Sequence, residues 1–410
     1  MNEMSAVNTL ITSPEHIHVG AGSFGLGMVV DICHRRANFR TAVLSQYSGK
    51  EHQDLLRAQQ SYAVVFDGDP EHREILKINL HYYAKEDHSK AVELLASPSV
   101  GLITTSVGKE NLRTVSALLA RAFEKRKQNG IAGKLCVVAC ENLSQNSTEL
   151  RTYVESHLTP DGVLNLQKEV FFCNSLVDRI CSPISCRSGM AEIPAESFHD
   201  WILTSPASSA PLLDILKRKR LIRFAHSELE FKAYELQKYW CMNGLHLATA
   251  AYAYNSKKDL PHFSQALAFP FLSKKVQALQ NELALAFLLY VRRNGLRDRF
   301  SEPAVRRYNK RLFQRLRLNA TDTVGRILKL EKGLPNAVLE LLARIDRLIG
   351  PQCEILAFRK KLKTPEQKLV AFHARGDAKK RLELDDAIQH VVIAMRDFAE
   401  RYEILKTASR

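Results

Sequence analysis

The sequence lacks any apolar run long enough to cross a membrane. A transmembrane helix needs about 20 consecutive apolar residues, and no stretch of the 410 residues approaches that length. The opening segment, MNEMSAVNTLITSPEH, has neither the basic start nor the long apolar core of a secretory signal. We therefore expect a cytoplasmic protein with no membrane partner.

Cysteine is sparse. The eight cysteines are scattered, whereas disulfide-stapled proteins are short and cysteine-dense, so reduced thiols are expected. Two pairs are closely spaced, Cys136 with Cys140 and Cys181 with Cys186. The first pair flanks an apolar run, and no nearby histidine completes a tetrahedral ligand set. We predict no metal site.

Acidic residues are outnumbered by basic ones, 44 to 59, which gives a formal net charge of +15. The excess is spread along the chain, with clusters at 217–220 and 359–361. Solvated helix faces are the first interpretation of such clusters. An anionic substrate such as a sugar phosphate is the second, and nucleic acid is the third and is not expected as a partner.

The chain is too long for one ordinary core, and the pattern of its apolar residues changes at about residue 206. Before that point, short apolar runs alternate with helical patterns, which predicts parallel βαβ units. After it, strand-like runs end and helical periodicity dominates. We predict an α/β Rossmann-type domain over 1–200 and an all-α domain over 201–410. The predicted strands are 17–19, 41–44, 62–66, 100–105, 135–139 and 170–172, and the main helices are 26–35, 112–127, 228–254, 263–292, 305–318, 336–348 and 384–404.

A glycine-rich turn, HVGAGSFGLG, joins the first predicted strand to the first predicted helix. It fits G-x-G-x-x-G, in which the glycines allow a tight turn, a close approach to a pyrophosphate and close packing of the helix. The helix that follows directs free N–H groups and a positive dipole end at the phosphates. This context predicts a dinucleotide site, whose residues are Gly20, Ala21, Gly22, Ser23, Phe24, Gly25 and Gly27.

The second strand does not end in the carboxylate that NAD enzymes usually place on the ribose hydroxyls. It ends Leu44-Ser45-Gln46-Tyr47, and no arginine follows directly to bind a 2′-phosphate. The cofactor can therefore be NAD or NADP.

Lys238, Asn243 and His246 interrupt an apolar stretch of the helix predicted over 228–254. In an α-helix, Asn243 would lie about 140° and His246 about 80° around the axis from Lys238, spread over about 12 Å. A half-buried lysine has its ammonium form disfavoured and can accept a hydroxyl proton while hydride leaves for nicotinamide. A snorkelling lysine, an asparagine cap and a structural histidine are the alternative interpretation.

Together these residues resemble the mannitol dehydrogenase family, the polyol-specific long-chain dehydrogenases. Other strings shared with it are ITTSVG at 103–108, ACEN at 139–142 and NSLVDRI at 174–180, so the resemblance covers most of the chain. Within the family the chain is similar to the branch that acts on mannitol 1-phosphate, which shares Trp-Ile at 201–202 and Gly-Leu-Pro at 333–335.

The resemblance implies that Lys238 is the acid/base and that Asn174 and Asn243 stabilise the oxyanion. The substrate-binding residues it implies are His246, Arg307 and Arg315, and the residues near the nicotinamide or its ribose are Val107, Gly108 and Asn142. Without the resemblance, Arg307 and Arg315 would fit a basic helix face. Asp178 and Arg179 are expected to be structural, in an internal ion pair.

The sequence thus predicts a metal-independent oxidoreductase, a monomer or homodimer, that transfers hydride between NAD(P) and a polyol or its phosphate. Mannitol 1-phosphate with fructose 6-phosphate is the first substrate pair. Thr204 stands where the family usually has a pocket aspartate, which keeps open an unphosphorylated polyol such as mannitol, or reduction of a keto-sugar acid such as fructuronate or tagaturonate. A non-catalytic basic binding protein on the same scaffold is the alternative of another class.

Overall fold

The structure is a computed structural model that describes residues 13–83, 88–206, 210–256, 260–318 and 323–328. The chain divides into two compact units, Met1–Phe231 and Lys232–Arg410, and each is treated by itself. No helix within the described ranges is long and apolar enough to cross a bilayer.

The first unit is built on a six-stranded parallel sheet in the order β5-β2-β1-β6-β7-β8. Taken in chain order within this sheet, the strands run 3-2-1-4-5-6, which is the Rossmann arrangement and confirms the predicted fold class. Strands β1 and β7 are buried along their whole length, as expected for a sheet covered on both faces. The six strands are β1 (His16–Val19), β2 (Thr41–Gln46), β5 (Asn79–Tyr83), β6 (Leu102–Thr105), β7 (Leu135–Ala139) and β8 (Val170–Phe172).

Helices of this unit follow the strands of the main sheet and cover its apolar faces. The helix after the glycine turn, Gly25–Arg36, is π-helical, and its last turn is closed by the Ala37 N–H, which donates to Ile32 five residues back. A short 3₁₀ turn, Lys109–Asn111, precedes the longest helix of the unit. The α-helices are α1 (Glu51–Gln59), α2 (Ser89–Leu95), α3 (Leu112–Gln128), α4 (Asn146–Glu155), α5 (Pro160–Glu169) and α6 (Pro211–Arg218).

Two smaller sheets accompany the main one, in the orders β10-β11-β3-β4 and β13-β12-β9. The strand predicted at 62–66 does form, but it pairs with β4 and β11, and the place beside β2 belongs to β5. The prediction that no strands follow residue 206 was wrong, because a short strand, β13 (Arg223–Ala225), pairs with β12. These strands are β3 (Ser61–Phe66), β4 (Arg73–Lys77), β9 (Ser175–Asp178), β10 (Ser185–Arg187), β11 (Met190–Ala195), β12 (Asp200–Thr204) and β13 (Arg223–Ala225).

From Glu228 onward the named elements of the described chain are all helices. The helix predicted over 263–292 is two helices, because Pro270 has no N–H to continue the first and starts the second instead. The helices predicted at 336–348 and 384–404 lie outside the described residues. The helical elements are α7 (Glu228–Gln237), a π-helical segment (Lys238–Gly244), α8 (Leu245–Asn255), α9 (Phe263–Ala268), α10 (Pro270–Arg293), α11 (Glu302–Leu318) and α12 (Val324–Leu328).

The boundary between the two compact units lies between Phe231 and Lys232, whereas the predicted domain boundary is at residue 200. Residues 201–206 and 210–231 belong to the first unit, in which β12 pairs with β9 and α6 contributes Leu213 and Leu216 to the core.

Candidate active site

The glycine turn lies at the C-terminal ends of β1 and β6, the switch point at which Rossmann sheets bind their ligand. Gly20 adopts φ +116°, and a Cβ at this position would lie 2.7 Å from the Ser106 carbonyl oxygen. A Cβ on Gly25 would overlap both Ser106 Oγ and His18 Nε2. The turn therefore needs glycine at both positions to pack against the segment that follows β6.

Gly22 differs from these two glycines, because a Cβ there would meet nothing within 4 Å. Its backbone borders open space just before the helix Gly25–Arg36, where N–H groups and the helix dipole favour anions. This cradle fits a dinucleotide pyrophosphate. Gly27, also predicted for the site, is buried, and a Cβ there would lie 2.9 Å from Ile193 Cγ2.

A chain of buried hydrogen bonds lies under the turn. His18 contacts Ser106 Oγ through Nε2 (2.8 Å) and Thr104 Oγ1 through Nδ1 (2.7 Å). His16 contacts Thr104 Oγ1 (2.9 Å) and Thr41 Oγ1 (3.0 Å), so three strands are joined. Burial lowers the pKa of His18 to about 3 and that of His16 well below its ordinary value, so both imidazoles are neutral at pH 7.

The segment after β6 carries the predicted residues Val107 and Gly108 and is held from a second side. The Glu141 carboxylate accepts the Val107 N–H (2.9 Å) and the Thr105 hydroxyl (2.9 and 3.0 Å). Gly108 adopts φ +84° where the chain turns into the 3₁₀ segment. Asn142, predicted near the nicotinamide, directly follows Glu141, which the sequence analysis did not single out.

Asn174 lies between β8 and β9, and its amide is fixed by the first turn of α4. Its Oδ1 accepts the Thr148 N–H (2.9 Å), and its Nδ2 donates to Thr148 Oγ1 (2.9 Å). The Thr204 N–H donates to the Asn174 carbonyl oxygen (2.9 Å), so the residue that replaces the family's aspartate is directly beside Asn174.

Three buried polar residues that sequence reasoning missed support Asn174. Asn146 donates to the carbonyls of Glu141 (3.0 Å) and Ser175 (2.9 Å), and Ser147 donates to the Cys173 carbonyl (2.7 Å). Ser175 donates to the Ala139 carbonyl (2.6 Å). These bonds tie the ends of β7 and β8 to the start of α4.

Arg179 is the cation of a buried ion pair with Asp31 (2.8 Å), a carboxylate that the sequence analysis did not name. Arg35 and Arg36 also bind Asp31. Burial opposes ionisation of Asp31, but the three arginines hold its pKa below the ordinary value. The Arg179 guanidinium also donates to the Gly27 carbonyl (2.6 Å), which ties the helix of the glycine turn to the segment after β9.

The end of β2 is organised by a glutamine. Gln53 Oε1 accepts the Ser48 N–H (2.8 Å) and hydroxyl (3.0 Å). Gln46 is the last residue of β2, the end of the strand at which NAD enzymes usually place the ribose-binding carboxylate. The nearby Asp54 accepts the Tyr47 hydroxyl (2.6 Å).

In the second unit, Lys238 is 8% exposed and begins the π-helical segment. A π-helix bonds residue i to residue i+5, which places residues five apart on nearly the same face. Lys238 and Asn243 are such a pair, so the α-helical separation of about 140° used in the sequence analysis was wrong for this segment. Asn243 is half-buried, and π-helical turns inside α-helices are frequent at functional sites.

His246 is buried, and its ring contacts the Phe263 ring at a centroid distance of 4.6 Å. The arginines Arg307 and Arg315 lie on α11, where Arg307 is exposed and Arg315 half-buried. Burial raises the pKa of the Cys241 thiol to about 12 and Asn309 of α11 opposes that rise, so this helix lies beside the segment that begins with Lys238.

The described cysteines are free thiols, and Cys353 lies outside the described residues. Within the described ranges, no three His, Cys, Asp or Glu side chains are grouped to hold a metal ion.

A Rossmann strand order with a glycine turn at its switch point is the arrangement that binds dinucleotides such as NAD(P). Residues 14–217 match the model of the mannitol dehydrogenase Rossmann domain. The chain belongs to the mannitol dehydrogenase family and is an NAD(P)-dependent polyol dehydrogenase. Because the chain is an enzyme, the alternative prediction of a non-catalytic binding protein was wrong.

Among the relatives is a mannitol-1-phosphate 5-dehydrogenase of Phaeosphaeria nodorum, 27% identical over 83% of this chain and 80% of its own. One of Aureobasidium melanogenum is 25% identical with the same coverage. Pseudomonas fluorescens mannitol 2-dehydrogenase, solved with NAD and D-mannitol, matches the fold with a TM-score of 0.59, 15% identity and 96% coverage of both chains. A substrate-free D-sorbitol dehydrogenase matches with a TM-score of 0.61, 15% identity and coverage of 95% and 94%.

Proposed function

We propose that the enzyme interconverts mannitol 1-phosphate and fructose 6-phosphate, with Lys238 as the acid/base. Relatives with 25–27% identity over most of both chains bear the corresponding name. The observation that carries the catalytic part is the buried Lys238 on a π-helical turn shared with Asn243. Burial favours the neutral amine, the form that accepts a hydroxyl proton.

In this mechanism the residues Gly20 to Gly27 hold the pyrophosphate, and the bound cofactor supplies hydride transfer at its nicotinamide ring. Lys238 takes the proton of the reacting hydroxyl and returns it in the reverse direction. Asn174 and Asn243 donate hydrogen bonds to the alkoxide oxygen without adding charge. His246 orients a substrate hydroxyl, and Arg307 and Arg315 bind substrate oxygens, a phosphate included.

The substrate is tested by following NAD(P)H absorbance with mannitol 1-phosphate, mannitol and fructuronate, each with both nicotinamides. We expect the highest kcat/KM with mannitol 1-phosphate. Thr204 beside Asn174 is the observation that favours a second candidate, a changed sugar or sugar acid. Faster turnover of mannitol or fructuronate would overturn the assignment of the phosphate ester. Both cofactors are included because Gln46 neither binds the ribose as a carboxylate nor repels a 2′-phosphate.

The catalytic role of Lys238 is tested by Lys238→Ala. We expect kcat to fall by at least ~10²-fold, the scale of losing an acid/base group, while cofactor affinity stays unchanged. The control is Lys274→Ala, because Lys274 is an exposed lysine on α10. Near-normal kcat in Lys238→Ala would remove the lysine from the mechanism without affecting the family assignment.

A further inference from the structure

Glu141 is a buried carboxylate at the catalytic edge of the Rossmann sheet. It lies two residues after the end of β7 and is 5% exposed. Its oxygens accept the Thr105 hydroxyl and the Val107 N–H at 2.9 to 3.0 Å. The bonds from Thr105 and Val107 come from the end of β6, so the carboxylate joins the ends of two neighbouring strands.

No lysine, arginine or histidine in the described part of the chain forms an ion pair with Glu141. A buried charge without a counter-charge costs several kcal/mol. Burial raises the pKa of Glu141, whereas the Val107 N–H and the Thr105 hydroxyl oppose that rise by donating to the ionised form. The surroundings thus stabilise an anion but provide no cation.

The position of Glu141 indicates which part of the cofactor lies nearest. A Rossmann sheet binds one mononucleotide on each half, and the glycine turn with β1, β2 and β5 forms one half. Strands β6, β7 and β8 form the other half, the half that receives the nicotinamide mononucleotide in dinucleotide-binding Rossmann domains. Glu141 belongs to this half and binds the backbone of Val107, a residue predicted to lie near the nicotinamide.

We propose that Glu141 sets the preference of the enzyme for the oxidised over the reduced cofactor. The oxidised nicotinamide ring carries a positive charge and the reduced ring is neutral, so a buried carboxylate stabilises the oxidised form selectively. The positive charge of the oxidised ring then neutralises the Glu141 carboxylate. This inference rests on NAD(P) dependence and on no particular substrate.

The test compares dissociation constants for the oxidised and reduced cofactor, measured by calorimetry without substrate, in wild type and Glu141→Gln. Glutamine keeps the shape and can still accept the Val107 N–H. We expect the ratio Kd(oxidised)/Kd(reduced) to rise about tenfold or more, mainly through weaker binding of the oxidised form. The matched control is Glu110→Gln, because Glu110 follows the same segment but is 73% exposed and screened by water. Its ratio should change less than about twofold.

Equal weakening of both redox forms in Glu141→Gln would overturn the proposal, because a purely structural residue affects them alike. If this variant does not fold, wild-type protein provides the same test at mildly acidic pH. Burial raises the pKa of Glu141 and a cationic ring beside it would lower that pKa, so binding of the oxidised cofactor should release more protons than binding of the reduced cofactor. Equal proton release for both forms would again overturn it.

The test of the substrate and the test of Glu141 are independent, because one measures turnover and the other measures cofactor binding without substrate. An enzyme that does not oxidise mannitol 1-phosphate can still show the change in the Kd ratio. Wild-type protein that binds neither redox form would overturn the dinucleotide site and the role of Glu141 together.

Discussion

Two glycines of the same turn are required for different physical reasons, and substitution separates them. Gly25→Ala would force its Cβ onto Ser106 Oγ and His18 Nε2, whereas Gly22→Ala places its Cβ in open space. We expect Gly25→Ala to lower the free energy of unfolding by about 1–3 kcal/mol, the usual cost of overpacking. Gly22→Ala should leave stability within about 0.5 kcal/mol of wild type but weaken cofactor binding.

The measurements are urea denaturation without cofactor and calorimetric titration with NAD. An equal loss of stability in both variants would show that Gly22 is also packed by the protein rather than by the ligand. Unchanged cofactor affinity in Gly22→Ala would remove the pyrophosphate from this position.

At the scale of single elements, the π-helical segment shows why a helical wheel misplaced Lys238 and Asn243. Apolar periodicity predicts that a helix forms over 228–254 but does not distinguish i→i+4 from i→i+5 hydrogen bonding. That choice depends on packing, and Cys241 within the segment is buried against Asn309 of α11. The sequence located the helix, and packing decided its pitch.

The ion pair between Asp31 and Arg179 joins the helix of the glycine turn to the segment after β9, so each partner can be tested. Asp31→Asn leaves the fully buried Arg179 cation without its carboxylate and should cost about 3–5 kcal/mol. Arg179→Gln should cost less, because Arg35 and Arg36 still neutralise Asp31.

The measurement is urea unfolding followed by the buried Trp201, in a background that carries Trp240→Phe, since the sequence has only two tryptophans. Glu93→Gln serves as the control, because its pair with Lys125 is on the surface and worth less than about 1 kcal/mol. A larger loss in Arg179→Gln than in Asp31→Asn would contradict this account.

For the molecule as a whole, the buried histidines predict how stability depends on pH. The pKa values of His16 and His18 are lowered by burial, that of His18 to about 3. Below the unfolded value of about 6.5, the unfolded chain binds protons that the folded chain excludes. Stability should therefore fall as the pH drops from about 6.5 towards 3, by up to about 1.4 kcal/mol per pH unit for each histidine.

His18→Gln should reduce the slope of unfolding free energy against pH between about 6 and 5 by about 1.4 kcal/mol per unit. The control is His157→Gln, which changes an exposed histidine and should leave the slope unchanged. Identical slopes in wild type and His18→Gln would show that His18 accepts a proton without unfolding.

Local patterns in the sequence determined the parallel α/β fold, the glycine turn and the positions of the main strands, because strand burial and turn geometry act between near neighbours. Tertiary structure decided what surrounds the site. Glu141 meets Thr105, His18 meets Ser106 and Asn174 meets Thr148 only because strands and helices far apart in sequence end at one edge of the sheet. A hydrogen bond depends on distance in space, which the sequence pattern alone does not specify.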